Sequence, residues 1–399
     1  MKRRDVLKGA AIASAGVGTI SMPAIAQSMP QINWRLTSSF PKSLDTIFGT
    51  AVTFAKAVSD ATDGHFQIQT FAGGELIPPL RALDAVQTGA VECAQTPTYF
   101  YYGKDPTLAI GTGLPFGLNA RLQNAWWTFG GGGDLVNQAL AKFNVVGMPM
   151  GNSGCQMGGW FRREINSVED LKGLKFRIGG IGGQVLARLG VVPQQIAGGD
   201  VYPALERGTI DAAEFVGPYD DEKLGLQRVA KYYYYPGFWE GGAMLHLVVN
   251  QEQWAKLPKH YQAIVRQAAE YANNWMMAKY DSVNAPALKR LIAGGTILKP
   301  FPIPVMDAAW DASNALYAEL SAKDPLFKTT YDSLVAFRGE QYLWWQIGEH
   351  FFDGYQIDCP AQQGVSTCTG SSRSTDQLYI VRFNQCCCNS ATPIAARLW

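Results

Sequence analysis

At 399 residues, the chain is longer than one minimal domain and suits two lobes or more. With 47% hydrophobic and 17% charged residues it can bury a sizeable core, and 34 Lys and Arg against 33 Asp and Glu leave no global field for nucleic acid or an acidic membrane. No run approaches the roughly 20 apolar residues of a spanning helix, so the composition points to a soluble, mixed α/β protein.

Residues 1–26 read as an export signal peptide. Lys2, Arg3, Arg4 and Lys8 precede the weakly apolar Gly9–Ile20, and Ala24-Ile25-Ala26 offers small residues for cleavage before Gln27. Arg3-Arg4-Asp5-Val6-Leu7-Lys8 is similar to a twin-arginine signal. Cleavage would leave a slightly acidic protein in the periplasm.

Alternation at Ile32, Trp34 and Leu36 predicts a strand, and the spacing from Leu44 through Val58, stopped by Asp63-Gly64, predicts a helix. Phe66–Thr70, Pro79–Thr88 and Val91–Ala94 continue as strand, short helix and strand. This β-α-β-α-β order is the sign of a parallel sheet covered by helices. A second set starts with strands at Val145–Met150 and Trp160–Phe161. Ser167 and Asp170 have the spacing of a capping box. Phe176–Ile178 then runs into a glycine cluster, followed by a helix through Leu189, and Tyr202–Arg207 and Ala212–Val216 continue the alternation. Two such sets imply two lobes, residues 27–358, with a ligand cleft at strand ends or at the lobe interface.

After Asn250 the pattern is helical. Tyr261, Ile264, Val265, Ala268, Ala272, Trp275 and Met276 share one face of a helix long enough to brace both lobes. A further helix over Met306–Leu320 carries Trp310, Leu316 and Tyr317 as core. Composition breaks after Asp358: residues 359–399 form a Ser-, Thr- and Cys-rich tail, expected to be poorly ordered, holding five of the seven cysteines without the paired spacing of a zinc site.

No catalytic constellation stands out. There is no P-loop, Gly180-Ile181-Gly182 lacks the third glycine of a dinucleotide fingerprint, and Gly151-Asn152-Ser153-Gly154 is not a nucleophile elbow. His65, His246, His260 and His350 lie far apart and read as surface or satisfied structural groups. Asp220-Asp221-Glu222 reads as a solvated face or a helix start. An exported hydrolase or oxidoreductase stays open as an alternative, as does a stand-alone periplasmic carboxylate sensor.

What remains suits binding. Arg177 ends a strand with glycines on its exit side, where a guanidinium can grip a carboxylate with two parallel N–H groups. Glu214, inside the apolar Ala212–Val216, must be paired or hold a cation. Glu240, among Phe238, Trp239, Gly241 and Gly242, repeats that arrangement, and Gln156 places an amide in another glycine-lined turn. Tyr101, within Tyr99–Tyr102, is a candidate wall for the apolar end of a ligand.

Leu174–Arg177, Gly199–Glu214, Val216–Gly225 and Tyr232–Gly242 together resemble the substrate-binding subunit of TRAP (tripartite ATP-independent periplasmic) transporters, in the α-keto acid branch. The resemblance runs from about Ile32 to Asp358. It implies a two-lobed periplasmic binding protein fold, α/β in class, hinged around a cleft and braced by a long helix, with no enzymatic activity. It implies that Arg177 clamps the ligand carboxylate, and that a cation, Na⁺ or alternatively Ca²⁺, bridges ligand and protein through Gln156, Glu214, residue 215 and Glu240. Position 215 is commonly Trp in that branch and is Phe215 here. A backbone carbonyl ligand survives that change, whereas an indole N–H contact does not. The ligand implied is a 2-oxo or 2-hydroxy carboxylate such as pyruvate, and the partners are membrane permease subunits. In that branch the C-terminal helix can hold a homodimer, which the divergent tail leaves open.

Overall fold

A computed structural model describes residues 29–358. The signal at 1–26 and the tail at 359–399 lie outside the described residues. One compact unit ends at Tyr342 and a second begins at Leu343. Among the described residues, no helix is long and apolar enough to cross a membrane.

The chain lays down β1 (Ile32–Ser38), β2 (Phe66–Phe71), β3 (Cys93–Thr96) and β4 (Val145–Asn152), then β5 (Gly159–Phe161), β6 (Lys175–Arg177), β7 (Val192–Gln194), β8 (Ala212–Ala213) and β9 (Tyr232–Tyr235). It closes with β10 (Met244–Asn250) and β11 (Ile297–Pro300). One sheet has the order β2-β1-β3-β10-β4, the other β11-β9-β5-β8-β6-β7. The β1, β2 and β3 pairings are parallel, as the alternating pattern predicts. Neither sheet is purely parallel, however. In the first, β10 runs antiparallel to β3 and β4; in the second, β5 runs antiparallel to β8 and β9. Both departures arise where the chain passes between sheets, at residues 153–158 and 236–243, and each passage reverses strand direction.

The third passage is the helix Lys259–Ala293, 35 residues long and so spanning about 50 Å at 1.5 Å per residue. Its Tyr261, Val265, Ala268 and Ala272 pack in the core of the first sheet with Trp34, Phe54 and Phe66. Its Met276, Tyr280 and Leu291 pack with Trp160, Phe215 and Tyr233 of the second half. One apolar stripe therefore serves two cores, which is how the helix braces both lobes. Phe40, Leu44 and Ile47, from the β1 side, join the second of these clusters, so apolar contact continues across the cleft.

Several local expectations change. Asp170 accepts from the Ser167 N–H at 3.0 Å and from its hydroxyl at 3.2 Å, but the helix it opens is a single turn, Glu169–Leu171. Trp310 is 44% exposed rather than core, while Leu316 and Tyr317 are buried. The Asp220 and Asp221 side chains begin the helix Pro218–Leu224, yet both are buried rather than solvated. His246 is fully buried with neither ring nitrogen hydrogen-bonded, and burial pushes it down to about 3, so it stays neutral.

Candidate functional site

Sheet register brings the first two site residues together. Arg177 of β6 lies opposite Ala213 of β8, so Glu214 follows one position on, and its N–H donates to the Arg177 carbonyl at 3.1 Å. Arg177 Nη1 donates to Glu214 Oε1 at 2.5 Å and to the Glu214 carbonyl at 2.6 Å, while Nε donates to the Ile196 carbonyl at 3.0 Å. Glu214 Oε1 also accepts from the Gly179 N–H at 3.0 Å. Both side chains are almost wholly buried. The glycines after β6 have a steric reason: Gly180 sits at φ +60°, and a Cβ there would lie 2.1 Å from Tyr99 Cδ2.

Gln156 and Glu240 lie on the two passages between the sheets. Ser153 ties those passages together: its N–H donates to the Ala243 carbonyl at 3.0 Å, and its hydroxyl accepts from the Ala243 N–H and from Gln156 Nε2, each at 2.8 Å. The Gln156 carbonyl accepts from the Gly237 N–H at 3.0 Å. A Cβ at Gly237 would come within 2.8 Å of that carbonyl oxygen, so only glycine allows the approach.

Gln156 borders two cavities. The inner one, about 20 Å³, is lined from the first sheet's side by Phe40, Ile47 and Tyr99 and from the second by Arg177, Phe215 and Val216. The outer one, about 500 Å³, is lined by Glu240, Cys155, Phe116, Phe238, Met306 and Trp310 among others. Phe215 lies with its ring centre 5.4 Å from the Arg177 guanidinium carbon, so arginine and ring form one wall.

Three oxygens at this junction have no partner: Gln156 Oε1, Glu214 Oε2 and Glu240 Oε1, all buried. Buried polar atoms are normally hydrogen-bonded, so three orphans on these residues are an unmet demand for a donor or a cation. Burial pushes Glu214 up to about 7 against the opposing pull of Arg177. Glu240 is raised well above the ordinary carboxylate range by burial and then by the Glu214 charge. Two carboxylate oxygens and an amide oxygen form a hard donor set that suits Na⁺ or Ca²⁺. Among the described residues no three His, Cys, Asp or Glu side chains converge as a metal group.

Tyr101 is elsewhere. Its hydroxyl accepts from the Leu83 N–H at 3.0 Å and bonds Thr96 Oγ1 at 3.1 Å, and it does not line the inner cavity. Tyr99 and Phe100, just before it in the same 3₁₀ turn, line that cavity instead. Sequence reasoning also missed Ser153. Its signal is a hydroxyl flanked by Asn152 and Gly154 just after an apolar strand, a position that also suits a tie between chain segments.

The family described as DctP, bacterial extracellular solute-binding protein, family 7, matches residues 37–324. The chain is 49% identical over 360 residues to the monocarboxylate 2-oxoacid-binding periplasmic protein of Nostoc sp., covering 89% of this chain and 99% of that one. A TRAP transporter solute-binding protein from Bordetella bronchiseptica, a mixed-occupancy dimer with calcium and picolinate in one active site, is 49% identical with a TM-score of 0.83, over 84% of this chain and 99% of that one. A TRAP periplasmic solute-binding protein from Pseudoalteromonas atlantica, with sodium and pyruvate bound, is 35% identical with a TM-score of 0.79, over 81% and 98%.

Proposed function

The chain belongs to the bacterial extracellular solute-binding proteins of family 7, and from that membership we propose that it captures a pyruvate-like 2-oxo acid together with Na⁺ or Ca²⁺ in the periplasm and delivers it to the membrane permease subunits of a TRAP transporter. The observation that carries this reading is the trio of orphaned oxygens on Gln156, Glu214 and Glu240 beside the buried Arg177. Relatives that bind pyruvate with sodium and picolinate with calcium support the same ligand chemistry.

In this reading the residues divide the work. Arg177 offers its guanidinium to the ligand carboxylate, held at the right angle by the Ile196 and Glu214 carbonyls. Gln156, Glu214 and Glu240, with the Phe215 carbonyl, would hold the cation, which would supply positive charge to an anionic ligand. Phe215 and Tyr99 exclude water on either side. Because Gln156 and Glu240 belong to the passages and Glu214 to the second sheet, filling the site also joins hinge and lobe. Such a site changes no covalent bond, which suits a receptor rather than an enzyme.

The test is calorimetric titration of pyruvate into chelated, dialysed protein across a range of Na⁺ and Ca²⁺. Affinity that rises with one of the cations supports the reading, and affinity flat in both removes the cation from it. A homodimer is the companion proposal, supported by Trp344, Phe351, Phe352 and Tyr355, each more than half exposed on the helical segment after Tyr342. A monomer by analytical ultracentrifugation would end it.

A further inference from the structure

Asp45 joins the segment after β1 to two other elements, the helix Pro218–Leu224 and the long helix Lys259–Ala293. It sits between β1 and the helix Ile47–Ala61, which packs in the first core. Its carboxylate accepts from Lys223 at Oδ1, and at Oδ2 from Lys279 Nζ at 3.0 Å and from the Tyr219 hydroxyl at 3.3 Å. Its backbone carbonyl accepts from Lys279 Nζ at 2.9 Å. Lys223 and Tyr219 belong to the helix Pro218–Leu224 after β8, and Lys279 belongs to the long bracing helix.

Both ends of this contact are fixed to the ligand cavity. On one side, Phe40 and Ile47 line the inner cavity and bracket Asp45 in sequence. On the other, Phe215 and Val216 line it just before the helix that carries Lys223. That helix cannot drift freely. Asp221 accepts from Trp160 Nε1 at 2.9 Å and from the Tyr233 hydroxyl at 2.7 Å, and Asp220 accepts from Tyr280 of the long helix at 2.5 Å. A pull on Asp45 therefore acts on the roof of the cavity against an anchored floor.

We propose that Asp45 is a positioning residue for ligand capture: with Lys223, Lys279 and Tyr219 it forms a clasp that holds the segment Phe40–Ile47 closed over the site. A single exposed ion pair contributes little. Here one carboxylate, itself about half exposed, answers two ammonium groups and a phenol, and the lysines are about three-quarters shielded, so the contact gains from several partners at once rather than from a single open pair. The clasp touches no ligand. It acts only by making the closed arrangement more favourable, and a shift of that kind appears mainly in the rate at which a trapped ligand leaves.

The inference rests on the proposed capture of a 2-oxo acid, and its test has one arm that does not. With pyruvate and the supporting cation, stopped-flow release from Asp45→Asn should be three- to tenfold faster than from the native protein. The association rate should be unchanged or higher, Asp45→Glu should recover part of the loss, and Asp45→Asn should add little in a Lys223→Ala, Lys279→Ala background. Without ligand, hydrogen exchange in Asp45→Asn should speed up over residues 40–47 while β2 keeps its protection. Native release rates, or exchange accelerated uniformly through both sheets, overturn the clasp. If the native protein takes up no 2-oxo acid, the capture reading fails while the exchange arm still decides the clasp.

Discussion

Arg177 Nη1 lies 2.5 Å from Glu214 Oε1 and 2.6 Å from the Glu214 carbonyl, so the arginine assigned to a ligand carboxylate is already hydrogen-bonded to a carboxyl group of the protein. Nε and both Nη1 protons are engaged by the Ile196 carbonyl and by Glu214, so of the five guanidinium donors the two on Nη2 remain for a ligand. The consequence is that Arg177 cannot be removed without stranding Glu214. A buried charge that loses its partner costs about 3–5 kcal/mol.

Arg177→Lys is therefore the informative substitution, because it keeps the charge and removes the fork. It should weaken pyruvate at least a hundredfold while shifting the melting temperature by only a few degrees. Arg177→Ala should lose both affinity and stability, with much of the stability returned by adding Glu214→Gln. Calorimetry and thermal melts on the three variants check this, and near-native affinity in Arg177→Lys would show that the ligand does not need the guanidinium's Nη2 donors.

Glu240→Gln and Glu214→Gln should each weaken cation and ligand together. If both bind one assembly, each raises the other's affinity by the same factor, and losing a shared carboxylate lowers that factor in both directions. Expected losses are on the order of tenfold or more, since a charged oxygen is replaced by a neutral amide. Measuring pyruvate affinity against cation concentration, and cation affinity against pyruvate concentration, gives the coupling twice. Unequal changes would separate the two sites.

Much of the fold was legible from local pattern. Alternation marked β1 and β2, and one apolar face marked the long helix. What escaped notice depends on distant partners. Tyr232–Tyr235 repeats one residue and Met244–Asn250 is buried at every position, so neither alternates in period two, which hid β9 and β10 and with them antiparallel pairings. Asp220 and Asp221 look solvated in sequence, and their burial is possible only because Tyr280, Trp160 and Tyr233 bring donors from three other elements. The site was legible at Arg177 and Glu214 because a charge at an apolar strand end is anomalous in itself. Tyr99 was harder: four aromatic residues in a row give no phase, and only the turn geometry decides that Tyr99 and Phe100, not Tyr101, line the inner cavity.

That phase gives a paired prediction. Tyr101→Phe removes an acceptor from the buried Leu83 N–H and should cost roughly 1–3 kcal/mol of stability, leaving pyruvate affinity within about twofold. Tyr99→Ala opens the wall of the inner cavity and should weaken pyruvate by tenfold or more. Paired denaturation and calorimetry decide it, and a ligand defect in Tyr101→Phe would return that residue to the site.

Asp220 gives the ligand-free protein an unusual pH dependence. Burial pushes its carboxyl from 3.8 up to about 7, opposed by the Tyr280 hydroxyl and with Asp221 adding to the rise. Between those two values the folded chain keeps a proton that the unfolded chain has released. Stability from this group is therefore complete below about pH 4 and is lost as the pH rises through about 7, the reverse of a salt-bridged carboxylate. Asp221, pushed up to about 6, acts in the same direction. From pH 5.5 to 8, where ordinary carboxylates are already ionised, unfolding free energy should fall with Asp220 contributing on the order of 2 kcal/mol. Asp220→Asn keeps an acceptor for Tyr280 and carries no charge, so it should flatten that part of the slope and be the more stable protein at pH 8. Urea denaturation of both proteins at several pH values, without cation or ligand, measures the difference. Parallel slopes would mean that Asp220 is already ionised in the fold, with a counter-charge compensating its burial.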